Sequence, residues 1–176
     1  MNELILINGP AGVGKTTIAK MYAQDNPLTL VVDGDEVMGM IGGWRQREIE
    51  ARALKLSLIT AMIEVHLKSG NSVVLPYLVS DVDHVETFET LAKNCNADFR
   101  EVILWVDRDE ATSRLLQRGR WGEAGSRSLT TDDIPRIHTL YDSVVLGLEK
   151  RPDQKKIIAP EGDIERTYRD FCNNLA

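Results

Sequence analysis

A chain of 176 residues with 43% hydrophobic content is long enough to bury one sizeable core and too short for two ordinary domains, so one domain spanning residues 1–176 is expected. The net charge of −6 argues against nucleic acid as the main partner, since duplex binding normally shows as a basic surface. No stretch approaches the ~18 to 20 apolar residues of a membrane span and no basic leader precedes the first apolar run, so a cytoplasmic protein without membrane contact is expected.

Short apolar runs alternate with longer helical patterns along the chain. The strand candidates are residues 3–8, 29–33, 72–75, 100–106 and 155–158, each apolar enough to be covered on both faces. Helix candidates lie at 15–24, 45–68, 82–94, 109–118, 132–150 and 164–174, long enough for right-handed crossovers. The alternation predicts an α/β fold. Cys95 and Cys172 lie far apart with no C-x-x-C and read as reduced thiols.

Between the first strand and first helix stands Gly9-Pro10-Ala11-Gly12-Val13-Gly14-Lys15-Thr16, a complete G-x-x-x-x-G-K-[ST], followed by Thr17. In that position the glycines let backbone N–H groups turn toward a phosphate, and the helix adds the positive end of its dipole. Lys15 reaches the outer phosphates, and the Thr16 hydroxyl is suited to Mg²⁺. This Walker A loop predicts binding of a nucleoside triphosphate.

The second strand ends in Asp33-Gly34-Asp35, which delivers two carboxylates to the sheet edge where the phosphate loop opens. One suits Mg²⁺ and the other suits an attacking hydroxyl, the two roles of phosphoryl transfer to an alcohol. Asp107, after the fourth strand, competes with Asp33 as the metal-side acid, although Asp107-x-x-Glu110 also reads as a capping box. His66, His84 and His138 read as packing or capping residues.

The phosphate loop and the apolar run ending in Asp33-Gly34-Asp35 together resemble the small-molecule branch of the nucleoside-monophosphate-kinase-like P-loop kinases. Gluconate, shikimate and adenylylsulfate kinases, chloramphenicol phosphotransferase and the zeta toxins belong there. The resemblance implies a three-layer α/β/α sandwich with a parallel sheet in the order 2-3-1-4-5, a mobile lid after the fourth strand, and an adenine-binding turn after the fifth. It matches Asp33 to the Mg²⁺-proximal carboxylate and Asp35 to the substrate-binding or general-base carboxylate. Met38 stands where relatives acting on nucleic acids or nucleotide sugars often carry Arg, and Leu75-Pro76-Tyr77-Leu78 replaces the shikimate kinase glycines.

The stretch from Arg114 to Arg127 holds Arg114, Arg118, Arg120 and Arg127 against the single acid Glu123, and looks like such a lid over about residues 114–128. Arg114 and Arg118 share a helix face, and the resemblance places that pair over the adenine and phosphates. Arg120 or Arg127 would close on the phosphoryl group, or else sit in solvent at a helix end. Trp44, with Arg45 and Arg47, is a candidate wall of the acceptor pocket. Pro160-Glu161-Gly162 falls where the resemblance expects the adenine turn.

The reading is therefore an ATP- and Mg²⁺-dependent kinase for a hydroxyl of a small metabolite or antibiotic, with Lys15, Asp35 and Arg118 catalytic. A nucleotide or polynucleotide kinase, and a nucleotide-dependent switch with slow ATP hydrolysis, are the alternatives. The chain has no N-K-x-D motif of a GTPase, and no pattern in it specifies an oligomeric state.

Overall fold

The computed structural model describes residues 2–123, 126–151, 154 and 156–175. Five strands, β1 (Glu3–Asn8), β2 (Leu30–Val31), β3 (Val73–Pro76), β4 (Asp98–Trp105) and β5 (Lys156–Ile158), form one sheet in the order β2-β3-β1-β4-β5. Every pairing is parallel, with Leu4 opposite both Val73 and Phe99. The expected α/β class and strand order are both present. Lys155, where the fifth strand was expected to begin, lies outside the described residues, as do Ala124 and Gly125 of the arginine-rich segment.

Among the described residues, seven α-helices connect and flank the strands: α1 (Lys15–Asp25), α2 (Gly34–Met40), α3 (Glu48–Lys68), α4 (Val82–Asn94), α5 (Arg108–Arg118), α6 (Ile134–Glu149) and α7 (Ile164–Leu175). Alternation along β1 explains the layering. Leu4 and Leu6 join Ile59, Ile63, Phe88 and Ala92 of α3 and α4 on one face. Ile5 and Ile7 join Ile18 of α1 and Phe171 of α7 on the other. On β4, Ile103 packs beneath Val144 and Leu148 of α6.

Three differences from the sequence reading are local. The second strand is two residues long, because Asp33 leaves it to cap α2: its Oδ1 accepts from the backbone N–H of Asp35 at 2.8 Å and of Glu36 at 3.4 Å. The long third helix begins at Glu48 rather than at residue 45, since the chain turns through residues 42–47. The Asp107 capping box is half formed. Asp107 accepts from Glu110 N at 2.9 Å, but the Glu110 carboxylate takes the Arg114 Nε at 2.5 Å.

A buried polar network fixes the start of the phosphate loop. The Asn8 Oδ1 accepts from Gly9 N at 2.7 Å and Val79 N at 2.9 Å, while its Nδ2 donates to Val79 O and to the Glu101 Oε1, both at 3.1 Å. Glu101 in turn pairs with Arg151, and its side chain is only 2% exposed. Removing one partner of such a pair leaves a buried charge. Arg151→Ala should therefore cost about 3 kcal/mol or more and lower Tm by roughly 6 to 12 °C. Thermal denaturation checks this, and adding Glu101→Gln to the same chain should restore much of the loss.

Candidate functional site

The phosphate loop, the end of β2 and the arginine-rich segment meet around one cavity of about 1100 Å³ at the carboxyl edge of the sheet. Ala11, Gly12, Gly14, Lys15, Thr16 and Thr17 line its floor. Of the other loop residues, Val13 is buried in the core beside Ile18 and so anchors the loop. Gly9 and Pro10 pass beneath, with Gly9 so close to β4 that a Cβ there would overlap the Leu104 carbonyl oxygen. Only glycine fits that crossing, which also has φ 135°.

Lys15 donates from Nζ to the carbonyls of Gly9 at 2.9 Å and Pro10 at 2.8 Å, which folds its ammonium over the loop. Burial pulls its pKa down to about 8, against the attraction of Asp35, and the Arg118 guanidinium pulls in the same direction as burial. Two cations held within each other's field in a cavity, beside the free N–H groups of a helix start, make an anion site.

The Thr16 hydroxyl donates to the Asp33 Oδ2 at 2.7 Å. This pair sits on the cavity wall and fits a magnesium ion that takes its remaining ligands from phosphate oxygens and water. Among the described residues there is no cluster of three or more His, Cys, Asp or Glu that would hold a metal without such help. Asp107 is spent on the α5 cap and is not part of the cavity lining.

Asp35 lies in the first turn of α2 and lines the same cavity. Burial pushes its carboxyl up to about 6, and the negative charges of Glu123 and Asp33 add to the rise while Lys55 and Lys15 oppose it. A carboxyl poised there is suited to accept a proton near neutral pH. Gly122 explains the burial: the segment after α5 comes down so closely that a Cβ on Gly122 would overlap the Asp35 carboxylate.

The arginines divide by role. Arg114 donates from Nε to Glu110 and from Nη2 to the Ala159 carbonyl at 2.9 Å, which ties α5 to the chain leaving β5, just before Pro160-Glu161-Gly162. Arg118 donates from Nε to the Arg120 carbonyl at 2.9 Å and lines the cavity. Arg120 forms an antiparallel bridge with Ser128 and is not part of the lining. Arg127 lines the cavity while pairing through both terminal nitrogens with the buried Asp133, whose carboxyl it holds below the usual range. On these positions Arg118→Ala should raise the KM for ATP, lower kcat, or both, while Arg120→Ala should leave both near wild type; steady-state ATP titration checks the pair.

Trp44 and Arg45 line the far wall, with the Arg45 guanidinium 4.7 Å above the Trp44 ring. Arg47 pairs with Glu50 and is not part of the lining. Met38 is buried and His66 holds the Leu28 carbonyl at 2.8 Å. Cys95 and Cys172 are free thiols.

Several lining residues were not singled out from the sequence: Lys55, Trp121 and Arg136; Tyr77 was noted there only as a departure from the shikimate kinase glycines. Lys55 is 8% exposed with its ammonium 5.0 Å from the Tyr77 ring centroid. Such a contact returns about 0.5 to 2 kcal/mol, less than the several kcal/mol that burying an unpaired ammonium costs. The one sequence signal for it is a lysine among the core-facing positions of α3, in the four-residue series Ala51, Lys55, Ile59, Ile63.

Sheet order, phosphate loop and the cavity at the strand ends define a P-loop protein of the nucleoside-monophosphate-kinase-like group. The chain belongs to the AAA domain family, whose model matches residues 4–133. No curated protein sequence matches it. Among solved structures, it is similar to the Deinococcus radiodurans tunicamycin resistance protein, with TM-score 0.63 and 16% identity over 100% of this chain and 96% of that one. It is also similar to a gluconokinase from Sinorhizobium meliloti 1021, with TM-score 0.65 and 14% identity over 98% and 95%. A chain of the Pnkp1/Rnl/Hen1 RNA repair complex aligns at TM-score 0.65 and 15% identity, over 85% of this chain but 46% of its own length. These likenesses describe the fold. No helix among the described residues is long and apolar enough to cross a membrane.

Proposed function

We propose that the protein is an ATP- and Mg²⁺-dependent phosphotransferase that moves the γ-phosphoryl group to a hydroxyl of a small acceptor in the cytoplasm. The observation that carries the reading is Asp35: a carboxyl pushed up to about 6, in the same cavity as Lys15 and the phosphate loop. A nucleotide-hydrolysing switch has no use for a second carboxylate in that position.

In this reading the loop amides and Lys15 bind the triphosphate and stabilise charge on the moving phosphoryl group. Thr16 and Asp33 hold Mg²⁺, which supplies charge neutralisation between the phosphates when bound. Asp35 orients the acceptor hydroxyl and takes its proton. The segment carrying Arg118 and Gly122 acts as a lid that covers Asp35 and keeps water from the reaction.

The gluconokinase and the tunicamycin resistance protein with this fold support a small metabolite or antibiotic as acceptor. An RNA terminus is the second reading, supported by the likeness to a chain of the RNA repair complex and by Arg45, Arg52 and Arg136 around the cavity. ADP release measured against a panel of hydroxylated metabolites, antibiotics and 5′-hydroxyl oligonucleotides tests all of these. At least one compound should raise turnover about tenfold or more above background hydrolysis. Tight ATP binding without stimulation by any compound would return the switch.

A further inference from the structure

We infer that the acceptor carries an anionic group, a carboxylate or a phosphate, and that Lys55 is the residue that receives it. The inference rests on the kinase reading above for the word acceptor; the anion site itself stands on the cavity. Lys55 reaches the cavity from α3, on the wall it shares with Tyr77 and Asp35. Among the described residues it makes no hydrogen bond and no ion pair, and its ammonium lies 5.0 Å from the Tyr77 ring centroid. The other buried or half-buried cations around this cavity have oxygen partners: Lys15 has two carbonyls, and Arg114 has Glu110 and the Ala159 carbonyl.

A buried ammonium with no ion-pair partner at contact distance is an unfinished ion pair. Asp35 feels the Lys55 charge without lying within ion-pair distance, so the space between them is left to a ligand. An ammonium offers donors only, which suits an acceptor-only oxyanion rather than an amide or a hydroxyl. A hydroxy acid or a hydroxyalkyl phosphate could present its hydroxyl to Asp35 and its anion to Lys55 at once. Lys55 would then select the acceptor, while the phosphate loop selects the nucleotide.

The test separates this site from catalysis by using binding. With the phosphate loop saturated by ADP and Mg²⁺, wild type, Lys55→Gln and Lys55→Arg are titrated calorimetrically with D-glycerate, glycerol 3-phosphate and neutral glycerol. The wild type should bind at least one of the two anions more tightly than glycerol, and Lys55→Gln should weaken that anion about tenfold or more with Lys55→Arg in between. The preferred anion identifies carboxylate or phosphate as the source. Equal anion binding in wild type and Lys55→Gln, or no anion binding up to ~50 mM, overturns the inference even if the protein proves to be a kinase. Conversely, Lys55-dependent anion binding with no phosphoryl transfer would sink the kinase reading and leave the site standing. If Lys55→Gln only moves the pH midpoint of turnover and leaves anion binding unchanged, Lys55 tunes Asp35 and the inference fails.

Discussion

Lys15→Ala should reduce phosphoryl transfer by ~100-fold or more while leaving Tm at or slightly above the wild-type value. Two observations combine to give this unusual pairing. The ammonium is bonded to the loop carbonyls of Gly9 and Pro10, so in the proposed reaction its removal would take away the charge offered to the outer phosphates. Yet burial holds its pKa down at about 8, below the ordinary lysine range, which means that the charged form is disfavoured in the folded chain. The sign follows from linkage: a depressed folded pKa is a stability cost that grows as pH falls through about 8, and Ala removes it. Rate and melting temperature should be measured on the same preparation. A variant that loses both would point to a misfolded loop rather than to lost chemistry.

The second large effect separates the two acids of Asp33-Gly34-Asp35. Asp33 bonds Thr16 with one oxygen and caps α2 with the other, so Asp33→Asn, which keeps the cap but loses the charge, should weaken Mg²⁺ dependence and harm every reaction of bound ATP including hydrolysis. Asp35→Asn should cut acceptor phosphorylation by ~100-fold or more while ATP affinity and background hydrolysis stay near wild type. Wild-type turnover should fall as pH drops through about 6, with Asp35 as the group responsible. Asp35 also makes a stability prediction of its own sign. Its folded pKa lies above the ordinary carboxylate value, so its contribution to stability is present at low pH and is lost as pH rises through about 6. At about pH 7 the ionised side chain is a cost, and Asp35→Asn should raise Tm. Calorimetric ATP affinity, hydrolysis, acceptor phosphorylation and melting curves for both variants check the set; unchanged acceptor turnover in Asp35→Asn would remove its role as base.

The parts of this protein that local chemistry dictates could be read from the chain. Strand, glycine loop and helix from Glu3 to Asp25 follow one another without interruption, and their residue types leave little choice of geometry. The D-G-D acids were visible for the same reason, but the helix they open was not: with glycines at positions 34 and 39, Gly34–Met40 shows little helical pattern, and the Asp33 cap that starts it depends on the carboxylate bending back on its own chain. Non-local features were out of reach. Glu101 and Arg151 look like ordinary surface charges until the sheet brings them to Asn8. Lys55 looks like a lapse in the apolar stripe of α3 until Tyr77, Asp35 and Trp121 close around the same cavity. Arg120 and Arg127 resemble each other in sequence and part company only because Asp133 is buried where Arg127 can reach it.

If the segment carrying Gly122 acts as the lid of the proposed kinase, its close approach to the Asp35 carboxylate would make it a proton-dependent latch. With the segment down, Asp35 is shielded from water and faces Glu123, and its carboxyl holds a proton up to about pH 6. Were the segment lifted, the burial it provides and the charge of Glu123 would go, and the carboxyl would move back toward its ordinary ~3.9, with only Asp33 still raising it. The closed arrangement would then bind more protons than the open one across that interval, so acid would draw the segment down and neutral pH would loosen it. Taking the proton of an acceptor would therefore tighten the latch during the reaction, and handing it to solvent would release the product. Gly122→Ala, whose added Cβ would overlap the Asp35 carboxylate, should hold the latch ajar and move the pH midpoint of turnover toward acid.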